Sequence, residues 1–284
     1  MRIALVNNDK PESVALAKEL LALLNGAEFK IDETYPELVI TIGGDGTLLS
    51  AFHKYNHLLD TIRFVGIHTG HLGFYTDWRD YELEELVAGL KQDKRESVSY
   101  PLLDMRINYQ DEPEEVRYLA LNEAVLKKTD GTMVCDIYVK DELFETFRGD
   151  GICVATPTGS TGISKSLGGA VIHPRTEALQ LTEMSSVNNR VYRTLSSPMI
   201  IAKDEWIEVK PIDEEKLFLT MDNQTFGERK VEKITYRIAK ERVHFARYRH
   251  THFWSRVENS FIGVINKKSQ KMDEDERWEK GELS

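Results

Sequence analysis

Five residues, Gly43-Gly44-Asp45-Gly46-Thr47, stand between an apolar run at Leu38–Ile42 and a helical pattern over Leu48–Leu59. Three glycines let a backbone turn sharply and bring its N–H groups up to an anion. The helix that follows adds the positive end of its dipole, so phosphate is the natural ligand. An aspartate inside such a loop repels what the loop attracts. It makes sense if the carboxylate orients or deprotonates a hydroxyl, or holds a metal ion that is bound to the phosphates. A plain turn with an Asx hydrogen bond is the alternative for these five residues alone. No Gly-Lys-Ser/Thr follows, and no G-x-G-x-x-G follows a strand pattern. Phosphoryl transfer is therefore favoured over hydride transfer.

Two other groups of residues belong with that loop. Asn122-Glu123 sits inside an apolar strand pattern, Tyr118–Leu121 before and Ala124–Leu126 after. Adjacent strand residues face opposite ways, so one polar side chain can turn inward and then needs a partner. A ribose diol, with two donors, would suit a carboxylate; a buried bond to a loop is the alternative. Farther on, Arg148-Gly149-Asp150-Gly151 leads into a strand at Ile152–Ala155, the turn Thr156-Pro157-Thr158-Gly159-Ser160-Thr161-Gly162 and a helix at Ile163–Leu167. That makes a second helix start rich in hydroxyls and open to anions. The histidines weigh less. His53 and His57 have zinc-pair spacing but Lys54 where a zinc protease needs glutamate. His68 and His71 flank a glycine-rich turn with no evident third ligand, so both pairs read as structural or surface residues.

The elements that must position these groups change in texture near Tyr100. Before it, strand runs (Arg2–Asn7, Leu38–Ile42, Ile62–His68) alternate with helical patterns (Glu12–Leu24, Leu48–Leu59, Asp80–Gln92), the mark of a parallel sheet covered by helices. After it come alternating runs at Leu102–Tyr109, Val116–Val125, Met133–Val139, Trp206–Val209, Leu217–Met221 and Ile234–Ile238, which suggest an antiparallel, β-rich domain. Phe253, Trp254, Val257, Phe261 and Ile262 form an apolar cluster that must bury itself, and the first domain is the expected place. The division is then 1–100, rejoined by 250–265; 101–249; and a loose charged tail at 266–284.

In 284 residues there are 47 acids and 37 bases, a net charge of −10. That balance argues against nucleic acid, whose non-specific binding runs on Lys and Arg. No run approaches the roughly 20 apolar residues of a membrane helix. The start reads as a strand rather than a signal peptide, and two cysteines are too few for a disulfide framework or a cysteine zinc site. A cytoplasmic setting is expected. The excess acid lies mainly in 1–100, whereas 229–250 holds eight bases against Glu232 and Glu241. Those bases are either a solvated strand face or a rim that faces phosphate, and with the Gly/Ser/Thr-rich stretch 146–201 the second reading is adopted: a locally cationic domain facing phosphate.

Together, GGDGT (43–47), HTGHLGF (68–74), LNE (121–123), RGDG (148–151), TPTGST (156–161), SLGGAVIHP (166–174) and NNRVYRT (188–194) closely resemble the bacterial NAD kinases, from about Leu38 to Phe261. GGDGT alone is shared with lipid kinases and 6-phosphofructokinases; the ordered set is far more specific. The resemblance implies an α/β N-terminal domain with a Rossmann-like parallel sheet and an all-β, sandwich-like C-terminal domain, the NAD kinase/diacylglycerol kinase-like fold. It implies transfer of the terminal phosphate of ATP, or of polyphosphate, to the adenosine-ribose 2′-OH of NAD, with Mg²⁺ or another divalent metal. It also implies a homo-oligomer, dimer or tetramer. Carried over by position, Asp45 is the general base and Asp222 lies near the reacting centre. Gly44, Gly46 and Thr47 belong to the phosphate loop. Phe74, Asn122, Glu123, Arg148, Asp150, Thr158, Thr161, Gly162, Ile163, Ser164, Lys165, Ser166, Ser185 and Gln224 form the NAD pocket. No metal ligands are assigned. A non-catalytic NAD(P)-binding sensor and a lipid or sugar kinase are the alternatives. The pattern departs at Gly162 and Ile163, where relatives usually carry Ala and Tyr, and at Asn223, where many carry His or Gly.

Overall fold

A parallel strand covered on both faces reads as an unbroken apolar run, and Leu38–Ile42 is buried at all of its residues. In a computed structural model that describes residues 1–70, 73–212, 216–248 and 252–263, it lies at the centre of the first half. There β1 (Arg2–Asn7), α1 (Pro11–Gly26), β2 (Lys30–Ile31), β3 (Leu38–Ile42), α2 (Asp45–Tyr55), β4 (Arg63–His68), β5 (Trp78–Arg79) and α3 (Leu83–Lys91) follow in order. The strands β2, β1, β3 and β4 pair in parallel in that spatial order. Leu16, Leu20 and Leu24 of α1 and Leu86 and Leu90 of α3 pack with Ile3, Ile40 and Ile67. Leu48, Phe52 and Tyr55 of α2 pack with Ala4, Val39 and Phe64, the alternate residues on the opposite face.

The second half runs β6 (Ser97–Tyr109), β7 (Val116–Ala120), β8 (Glu123–Lys127), β9 (Met133–Val139), β10 (Glu142–Gly149), β11 (Gly151–Ala155), α4 (Ile163–Ser166), β12 (Ala178–Met184), β13 (Met199–Ala202), β14 (Ile207–Pro211), β15 (Lys216–Met221), β16 (Gln224–Ala246) and α5 (Phe253–Phe261). One antiparallel layer has the order β13-β12-β11-β8-β15-β16, and β16 also bonds β14 and β6, which continue to β9, β10 and β7. Val154, Leu181 and Leu219 from the first layer meet Met105, Ile137, Phe147 and Val209 from the second in one core. The architecture is thus an α/β half joined to a β-rich half. Its spine is β16, 23 residues and about 75 Å if fully extended. It starts beside β15, runs along β6, and ends in parallel pairing with β4 through Phe245 and Phe64.

Two strand expectations change. Ile234–Ile238 was the only readable part of β16, because most of its outward residues are polar and its ends cross different surroundings. Val116–Val125 is not continuous: it breaks at Leu121-Asn122 into β7 and β8, for a reason given by the site. The tail at 266–284 lies outside the described residues, as do His71, Leu72, Arg249 and His250.

Candidate active site

The helical pattern begins earlier than its apolar residues suggest, with Gly44 as N-cap and Asp45 as the first residue of α2. Gly44 has no side chain to cap this end, so the first N–H groups of the helix remain available to an anion. Gly43 holds φ at +151°, and a Cβ there would stand 2.3 Å from Thr47 Oγ1 and 2.6 Å from Asn8 Nδ2. Above this turn lies a cleft of 430 Å³ lined by Asn8, Lys10, Gly44, Gly46, Thr47 and Asn223, among others. Asn223 reaches it from the turn between β15 and β16 and donates to Ser50 Oγ at 2.9 Å.

Asp45 is held from the opposite side. Its carboxylate accepts the backbone N–H of Phe74 at 2.9 Å and of Tyr75 at 3.1 Å. The carboxylate sits so close over the loop that a Cβ at Gly73 would fall 2.2 Å from Asp45 Oδ1. Only glycine fits there. Tyr75 in turn donates its hydroxyl to Asn122 Oδ1 and stacks on Phe245, with centroids 5.8 Å apart. Burial, with Asp45, Asp222 and Glu123 nearby, pushes the Tyr75 phenol up, so it stays a donor at neutral pH. One residue therefore ties Asp45 to Asn122.

Asp222 explains the broken strand. Expected beside the reacting centre, it has a side chain 0% exposed. Its carboxylate accepts N–H groups from Leu121 (3.0 Å), Asn122 (2.7 Å) and Glu123 (3.3 Å) and faces His53 Nε2 at 2.9 Å. These N–H groups bond to a side chain instead of a neighbouring strand, so the ladder is interrupted where the Asn-Glu pair stands. His53, on α2, was read as a structural or surface residue; through Asp222 it links the helix that starts at Asp45 to the Asn-Glu backbone. Thr156 closes the other side, with its N–H on Asn122 O at 2.8 Å and its hydroxyl on Leu121 O at 2.6 Å.

Glu123 points inward from this frame. Burial, then the charge of Asp222, pushes its carboxyl up to about 8 from an ordinary 4.5. Oε2 is buried with no hydrogen-bond partner among the described residues, as is Thr158 Oγ1. At neutral pH Glu123 is thus a neutral acid that can donate as well as accept, and not only the acceptor imagined for a ribose diol. The folded protein keeps a proton that the unfolded chain loses above 4.5. Stability from this group is complete below that pH and is lost as pH rises toward 8. Glu123→Gln removes the titration. Its melting temperature relative to the parent protein is expected to rise by several degrees between pH 5.5 and pH 8.5; a constant difference would count against the assignment.

The other expected residues divide. Phe74 and Thr158 line one cleft with Tyr75 of the loop that holds Asp45, and Thr161, Gly162, Ile163, Lys165 and Ser166 follow Thr158 in the turn and α4. A Cβ at Gly162 would lie 3.0 Å from Glu123 Oε2, Ile163 is 41% exposed, and Lys165 Nζ lies 4.1 Å above the ring centre of Phe261. Ser164 is enclosed beneath them, bonded to Gln180 and Thr182. Arg148, Asp150 and Ser185 stand at the far end of β11, about 13 Å away along the strand. Arg148 stacks there on Tyr192 at 4.2 Å. Gln224 faces a different hollow, with His53, His57 and Arg117.

The cationic rim expected at 229–250 is largely committed elsewhere. Arg229 pairs with Asp111 and Glu112, Lys233 with Glu208, and Arg242 with Glu177, while Arg237 lies over Trp206. The solvated-strand reading is the better one, because cross-strand neighbours supply acids that are invisible in a segment count. Tyr75 and Arg256, which contact Asp45 and the loop that holds it, escaped the sequence reading. A lone cation inside the aromatic stretch Phe253–Phe261 was the only available signal for the second.

The matching family descriptions are the ATP-NAD kinase N-terminal domain, over residues 25–94, and the ATP-NAD kinase C-terminal domain, over 121–247. The chain is 57% identical over 264 residues to an NAD kinase of Lacticaseibacillus paracasei, covering 93% of this chain and 99% of that one. It is 54% identical to an NAD kinase of Enterococcus faecalis, covering 93% and 99%. Among solved structures, a yeast NADH kinase complexed with NADH superimposes with a TM-score of 0.80 at 19% identity, covering 93% of this chain and 88% of that chain. An NAD kinase from Archaeoglobus fulgidus in complex with ATP gives 0.71 at 22%, covering 91% and 99%. These two likenesses bear on the fold.

Proposed function

The chain belongs to the NAD kinase family and is a kinase that transfers phosphate to NAD; on that premise we propose that ATP phosphates enter the cleft above Gly44–Thr47 and that Asp45 receives the adenosine-ribose 2′-OH. The observation that carries this reading is the placement of Asp45. It is the first residue of a helix with open N–H groups, and two backbone donors fix its oxygens. A carboxylate is a weak base toward a sugar hydroxyl, so its value lies in orienting that hydroxyl for in-line attack, with proton acceptance as the bond forms. Asn122 and Glu123 would bind ribose hydroxyls, and Thr158 and the turn 161–166 the adenosine.

No group of three or more metal-ligating side chains occurs among the described residues. That suits Mg²⁺, which is usually held by one or two carboxylates, water and substrate phosphates. Asp45 is the carboxylate placed to meet such an ion, which would neutralise phosphate charge during transfer. Protein incubated with ATP, Mg²⁺ and NAD should yield NADP phosphorylated at the 2′ position; absence of product with both ATP and polyphosphate would refute the reading.

Ile163 offers no aromatic face to adenine. Ile163→Tyr is expected to lower the NAD concentration at half-saturation about fivefold, since base stacking contributes roughly 1–3 kcal/mol. An unchanged value would show that Ile163 does not meet the base.

We also infer a homo-oligomer, dimer or tetramer, from the exposed apolar side chains Leu143, Phe144, Val191, Tyr192 and Ile200. Light scattering after gel filtration tests it. A cytoplasmic setting agrees with two buried, unpaired cysteines. No helix among the described residues is long and apolar enough to cross a membrane.

A further inference from the structure

On α5 (Phe253–Phe261), Arg256 follows Phe253 at i, i+3 on the same face, and Phe261 closes the last turn. The two rings bracket Phe74, at centroid distances of 6.3 and 5.8 Å. Between them Arg256 is 6% exposed. A guanidinium so enclosed needs partners for its charge and its fork of donors. Among the described residues it has three, all in one short loop: Nη1 donates to Gly73 O and Thr76 O, each at 3.0 Å, and Nη2 to the Asp77 carboxylate.

This loop is the one that carries Asp45. The peptide unit whose carbonyl belongs to Gly73 has Phe74 N–H as its other end. That single unit accepts from Arg256 on one side and donates to the Asp45 carboxylate on the other. The Thr76–Asp77 unit, also gripped by Arg256, donates Asp77 N–H to Gly66 O of β4 at 3.1 Å. A cation on a carbonyl polarises the amide and strengthens its N–H as a donor. The guanidinium therefore fixes both where the Asp45 cradle lies and how firmly it holds.

We propose that Arg256 is a positioning residue for phosphoryl transfer, acting from the C-terminal helix through the Gly73–Phe74 peptide to set the orientation of the Asp45 carboxylate. The proposal rests on the assignment of Asp45 above. Arg256 gives its donors to the loop rather than to the cleft it borders beside Phe74 and Thr158, so a turnover effect is expected rather than a binding effect. A merely structural anchor would lower stability and leave turnover per folded molecule intact.

The experiment compares Arg256→Lys and Arg256→Met in the full chain, with the folded fraction measured by circular dichroism. Turnover per folded molecule is expected to fall three- to tenfold for Lys and ten- to a hundredfold for Met, with KM for NAD changed less than threefold. In an Asp45→Asn background, Arg256→Met should cause no further loss, because the group it positions is gone. Wild-type turnover in both Arg256 variants, or losses that multiply with Asp45→Asn, would overturn the proposal alone. Near-wild-type turnover in Asp45→Asn itself would overturn the Asp45 assignment and this inference with it. If Arg256→Met does not fold, Arg256→Lys decides: a threefold or larger loss at unchanged KM supports the proposal, and wild-type turnover refutes it.

Discussion

Asp45→Asn should bind NAD nearly as well as the parent enzyme and turn over about a hundred- to ten-thousandfold more slowly, the range expected when a positioned proton acceptor is lost. Two losses combine. The amide cannot accept the 2′-OH proton, and its NH2 group faces one of the two backbone donors, Phe74 N–H or Tyr75 N–H, that now hold the carboxylate. The side chain must then rotate or release one donor. NAD binding should survive because Asn122, Glu123 and Thr158 keep their own supports in the Asp222 and Thr156 frame. Calorimetric titration with NAD beside initial rates of NADP formation checks both halves. Near-wild-type turnover would remove Asp45 from the mechanism.

The second large effect belongs to Asp222. Asp222→Ala strands three N–H groups and His53 around a vacated, fully buried position. Breaking a buried charged network by removing one partner costs about 3–5 kcal/mol. An unfolding free energy lower by that amount, read from denaturant titration, is expected, together with a higher KM for NAD as the Asn122-Glu123 backbone relaxes. Asp222→Asn should be far milder. It keeps one acceptor oxygen, and asparagine tolerates the φ of +50° found at this residue. If Asp222→Asn instead loses turnover as deeply as Asp45→Asn at unchanged stability, Asp222 works on the substrate and is not an anchor.

How far the site was legible in the sequence depended on how local its causes are. The phosphate loop was legible because glycines, an apolar strand and a helix start are neighbours in the chain. Asn122-Glu123 was legible as a motif but was placed inside a strand, since the break comes from Asp222, a hundred residues later. Nothing beside it in the chain marks Tyr75, whose bonds need both Asp45 and Asn122 in place. The bases at 229–250 suggested a phosphate rim because segment counts cannot see Asp111, Glu177 or Glu208 across the sheet. Arg148, Asp150 and Ser185 were grouped with the nucleotide pocket by resemblance; the length of β11 separates them within one chain.

The spine strand β16 also sets a timetable for the protein's birth. The α/β half is complete in sequence by residue 91, yet its edge strand β4 pairs with Phe245, and α2 packs on Val243 and Phe245 through Phe52 and Tyr55. At about 5–20 residues per second, a ribosome needs roughly ten to thirty seconds to deliver those partners. During that interval the nascent first half carries an open sheet edge and a bare aromatic helix face, both invitations to aggregation. Chaperones that hold apolar surface should therefore meet this chain early, and its phosphate loop should gain a working Asp45 only after the last helix has left the exit tunnel.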